Sequence, residues 1–75
     1  MTPVDVVFRF GVPPGEREMR AIVNVREVYG IRRISFDQKE RTVRVEYDAT
    51  RLSDEVVASL LRGAGLDVRE KVTLV

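Results

Sequence analysis

The hydrophobic period of this chain switches between two and roughly 3.6 residues, and that succession constrains the fold more than anything else in its 75 residues. Val4, Val6, Phe8 and Phe10 alternate with Asp5, Val7 and Arg9, the pattern of a strand with one buried face. Over 16–29 the apolar positions Ala21, Ile22, Val25, Val28 and Tyr29 fall on one helical stripe. Pro13 and Pro14 stand just ahead of it, where missing amide donors are tolerated, and Gly30 follows as a helix stop. Ile31, Ile34 and Phe36 resume the shorter period, the polar residues 37–41 make a turn, and Val43, Val45 and Tyr47 complete a hairpin. Ser53 is the N-cap of a second helix, with Asp54 and Glu55 in the first turn and Val56, Val57, Leu60, Leu61 and Ala64 as its stripe. Gly63 and Gly65 end that helix. Leu66, Val68, Val72 and Leu74 supply a last strand whose alternation is broken by Glu70.

The order strand, helix, strand, strand, helix, strand leaves two helical stripes and one parity of each strand to be buried together. An α+β sandwich achieves this: a ferredoxin-like βαββαβ arrangement, with two helices on one face of a four-stranded antiparallel sheet. Without linker, repeat or low-complexity tract, residues 1–75 read as a single domain. A chain of this length hides only about 60% of its unfolded surface, so a large catalytic cleft would take residues that the core needs.

Composition removes most chemistries. There is no cysteine and no histidine, hence no thiolate ligand, no disulfide, and neither the usual general base nor the commonest metal ligand. Thirteen basic residues against twelve acidic ones give no strong field to gather phosphates or anionic lipid, so neither a nucleic-acid nor a membrane partner is expected. Met1 to Asp5 lacks a basic n-region and an apolar h-region, and a cytoplasmic location is expected. The carboxylates Asp37, Glu40, Asp48, Asp54 and Glu55 match no calcium-loop spacing. No enzyme activity and no cofactor is expected.

The loop Gly11-Val12-Pro13-Pro14-Gly15-Glu16-Arg17 carries a further signal. Here the chain resembles the heavy-metal-associated domain, the fold of copper chaperones and mercury-binding proteins, whose motif is Gly-Met-Thr-Cys-x-x-Cys followed by a helix and a Gly-Val pair. Gly11 stands where the family glycine is, Val12 at its methionine, Pro13 at its threonine, Pro14 at the first cysteine and Arg17 at the second. Gly30-Ile31 then falls at the Gly-Val pair without a gap. Val43 to Asp48, Ser53 and Gly65-Leu66 resemble the family's Tyr-Asp strand end, second helix start and Gly-Tyr. The family's activity rests on two soft thiolates. Pro14 has no side-chain donor and Arg17 is a permanent cation, so the resemblance implies the fold without the soft-metal ion.

What remains for the loop is a rigid proline-built turn, or an anion site in which Arg17 and first-turn amides face a carboxylate, with Glu16 and Glu18 opposing it. Met19 and Val23 lie off the main stripe of the first helix; clustered with Val12 they would mark a partner surface. The open sheet face is expected to carry Asp5, Val7, Arg9, Arg33, Ser35, Thr42, Arg44, Glu46, Asp67, Arg69 and Lys71, without the aromatics an RNA-stacking face needs. The expectation is therefore a domain that has lost its metal ligands and serves as a protein-interaction or regulatory module, with another protein or a second copy as partner. The alternative is an ACT-like small-molecule sensor, which shares the element order and a glycine after the first strand. An acylphosphatase-like enzyme would need an asparagine to orient water, and the only one, Asn24, lies within the first helix.

Overall fold

A computed structural model describes residues 2–72 and shows six elements: β1 (Pro3–Phe10), α1 (Glu16–Arg26), β2 (Ile31–Asp37), β3 (Thr42–Asp48), α2 (Asp54–Gly63) and β4 (Val68–Val72). The strands form one antiparallel sheet in the order β2-β3-β1-β4, an α+β fold consistent with the ferredoxin-like arrangement. Val6, Phe8 and Phe10 face the helices together with Ile34, Val43, Val45 and Tyr47, and they close on Ile22, Val25, Val57, Ala58 and Leu61. Phe10 and Phe36 meet edge to face, with ring centroids 6.2 Å apart.

The two helices start and stop by different means. Glu18 Oε1 accepts from the Gly15 amide at 2.7 Å; glycine has no side chain to return the bond, so one half of the reciprocal cap forms. In α2 the Ser53 hydroxyl accepts from the Val56 amide at 3.3 Å, the N-cap expected from the sequence. That helix ends in a Schellman turn: the Gly65 amide donates to the Arg62 carbonyl, the Leu66 amide to that of Leu61, and Gly65 takes φ +95°.

Several expectations are corrected. The first helix ends at Arg26 rather than Tyr29, because Glu27 closes it and the Glu27 and Val28 amides take the last carbonyls. Tyr29 lies in the following turn, 72% exposed, and Gly30 (φ +105°) shapes the entry to β2 instead of stopping the helix. On α2 Ala58 is buried alongside Val57 and Leu61, whereas Val56 is exposed.

The largest correction concerns β4. Phe10 pairs with Val68 but Arg9 pairs with Glu70, so the register shifts by one residue and Arg69 is the extra one. Glu70 therefore joins Arg9 on the open face, Val72 lies opposite Val7 rather than in the core, and Lys71 passes to the helix side opposite Phe8. There Lys71 Nζ meets Asp54 Oδ2 at 2.7 Å. Val7 holds its expected place on the open face yet is only 6% exposed, beside Val72 and Arg44. Leu74, the remaining expected strand residue, lies outside the described residues.

Candidate functional site

Strand and helix directions bring three connections to one end of the molecule: loop 11–15, the hairpin turn 38–41 and the turn 64–67. They are tied by their backbones. The Phe10 amide donates to the Arg41 carbonyl at 2.9 Å, and the Gly11 amide to the Asp67 carbonyl at 3.0 Å. Arg41 adopts φ +55° at the hairpin and its guanidinium donates to the Gly11 carbonyl at 3.3 Å.

At the centre of this end is Asp67. Its Oδ2 accepts from the Val12 amide at 3.1 Å and from Arg69 Nε at 3.0 Å. The Val12 amide is thereby satisfied by the chain's own carboxylate, and Arg69, the extra residue of the bulge, balances that charge. Sequence reasoning placed Asp67 on the open face and missed this role. The available signal was the antiparallel pairing of β1 with β4, which sets the residue preceding β4 beside the residue following β1.

The loop residues singled out in the sequence are distributed as follows. Gly11 is half-buried and pinned on both sides; Val12 is 61% exposed; Pro13 is exposed, and Pro14 partly buried ahead of the Gly15 cap. Arg17 is exposed in the first turn of α1. Glu18 spends its carboxylate on the Gly15 amide, and Glu16 pairs with Arg20. Anion capture at this helix start is thus opposed by two carboxylates placed where the helix dipole stabilises them.

Met19 and Val23 are one helical turn apart and are 37% and 55% exposed, so they share a flank of α1 that the sheet does not cover. With Val12 they account for three of the five large apolar side chains exposed among the described residues, Tyr29 and Val56 being the others. Among the described residues no three His, Cys, Asp or Glu gather into a metal-holding cluster, and no helix is long and apolar enough to cross a membrane.

The strongest perturbation of a titratable group lies at the opposite end. Asp48 is buried at the end of β3, and its carboxylate is held down to about 2 by the Thr50 hydroxyl (2.7 Å) and amide (3.0 Å), with the Thr2 amide adding a third bond. This is a structural clasp between the chain start and the turn after β3. Lys71 is shifted upward and Asp54 downward by their mutual hydrogen bond. Compared with known proteins, the chain matches no family model and no curated protein.

Proposed function

We propose that the chain is a non-catalytic binding module derived from a soft-metal carrier, in which the former metal loop serves contact with a partner protein or a second copy. The observation that carries this reading is the internal closure of the loop: Asp67 takes the Val12 amide, Arg41 the Gly11 carbonyl and Glu18 the Gly15 amide, while Val12 itself stays outside. A loop tied in this way presents its side chains in a fixed arrangement. Rigid presentation lowers the ordering cost of association. The ungapped spacing from Arg17 to Gly30 supports the derivation, with Val12, Pro13, Pro14 and Arg17 standing where the carrier pattern has its methionine, threonine and two cysteines.

Titration of the protein with Cu(I) and with Zn(II) under reducing conditions tests the loss of ligands. No saturation below micromolar metal is expected for either ion. A stoichiometric site in the submicromolar range would overturn the reading.

A further inference from the structure

We propose that a shallow depression at the other end of the molecule, between the end of α1 and the turn after β3, binds a small aromatic carboxylate. The depression holds about 300 Å³ and is walled by Arg26, Tyr29, Gly30, Arg32, Asp48 and Arg51, among others. That volume is at the lower end of the roughly 300–1,000 Å³ of small-molecule sites, which suits a single ring bearing one charged group.

Three observations converge on this ligand class. First, guanidinium groups arrive from three separate segments, the last turn of α1, the start of β2 and the turn after β3, and Arg26 makes no ion pair among the described residues. The planar fork of arginine matches a carboxylate with two parallel donors. Second, Tyr29 is 72% exposed yet held in place, because the Arg51 guanidinium stacks 4.1 Å from its ring centroid while reaching Asp48 at 3.7 Å. A pre-stacked Tyr–Arg pair is a flat platform for a second ring.

Third, the lining charge is graded. Arg32 pairs with Glu46 at 3.6 Å and Arg51 with Asp48 Oδ2, while Asp48 Oδ1 turns inward to Thr2 and Thr50, so Arg26 is the lining guanidinium left without an ion pair among the described residues. A single uncommitted guanidinium fits a monoanion better than a phosphate dianion. Of the carbonyls near the end of α1, those of Asn24, Val25 and Val28 accept from the Glu27, Val28 and Ile31 amides. This depression lies at the end away from Val12, so its failure leaves the partner surface untouched.

The test is an amide-resolved NMR titration with benzoate, and separately with acetate and benzyl alcohol. Saturable benzoate shifts are expected at Val28, Tyr29, Gly30 and Arg51, with acetate and benzyl alcohol each weaker by about tenfold or more. Tyr29→Leu and Arg26→Gln should each weaken benzoate by about fivefold or more while the amides of Val45 and Leu61 keep their positions. Both side chains sit at the surface, so neither substitution opens the core. Benzoate shifts that do not saturate, that centre on residues 11–17, that acetate reproduces at equal affinity, or that persist in both variants would overturn the proposal.

Discussion

Asp48 shows how far a single residue reaches. A carboxylate buried at a strand end is costly unless its oxygens find partners; Thr50 and Thr2 donate to Oδ1, and Arg51 faces Oδ2 at 3.7 Å. Its pKa is lowered to about 2, below the ordinary aspartate value near 4 that the unfolded chain restores. A depressed folded-state value means that the contribution is complete above about pH 4 and fades as pH falls toward 2, where folded Asp48 takes up its proton. Urea unfolding of the protein and of Asp48→Asn at pH 2 to 7 checks this: the gap between their midpoints should be constant above about pH 5 and narrow below pH 4. Asp54, also shifted downward, titrates in both proteins and drops out of the comparison. A gap that stays constant down to pH 2 would contradict the account. At this scale the sequence conveyed residue type but not partnership. Asp67 read as an open-face residue because its donor at Val12 lies 55 positions away in the chain, and the Thr2 amide that closes on Asp48 lies 46 away. Tyr29 read as core because a helical period places it on the stripe, whereas the helix stops before reaching it.

Among the elements, α2 was the most legible, since each of its ends has a local chemical signal. Ser53 caps the start and Gly65 the finish, and only the boundary of the buried stripe, Ala58 in place of Val56, was misplaced. Gly65→Ala puts a Cβ at φ +95° and 3.2 Å from Glu18 Cγ, the side chain that caps α1. The strained conformation costs about 1–2 kcal/mol. Gly63→Ala meets nothing within 4 Å in the last helical turn and should be neutral or stabilising by about 0.5–1 kcal/mol. Thermal melts followed by circular dichroism should therefore separate the two, at roughly 4–8 °C per kcal/mol for a domain of this size. Equal melting temperatures would show that the Schellman turn does not depend on glycine. β4 was the least legible element. Its period-two pattern was visible, but a one-residue bulge at Arg69 reverses the faces of everything beyond it, and no side-chain period records a register shift. Lys71 is the clearest consequence, since the bulge turns it from the open face to a bond with Asp54 at the start of α2.

For the molecule as a whole, the order of periods sufficed for the architecture because few arrangements bury two helical stripes and one face of four strands at once. The same topology separates two ends. One carries loop 11–15, closed by Asp67, Arg41 and Glu18, with Val12 exposed on the loop, and from it α1 runs toward the other end with Met19 and Val23 exposed along one flank. The other carries the Asp48 clasp and the Tyr29–Arg51 stack. The closure of the first end was not legible in the loop itself, since every group that closes it but Glu18 comes from elsewhere in the chain. The central claim is that this first end meets a protein surface. It is tested most directly by placing a photo-crosslinking residue at Val12, Met19 or Val23, and at the exposed Glu55 as control, in the cells that naturally make the protein. The account predicts one discrete adduct common to the three positions and missing from the control, its mass set by a partner or by a second copy. Absence of an adduct at all three positions, or the same diffuse labelling at Glu55, would contradict it.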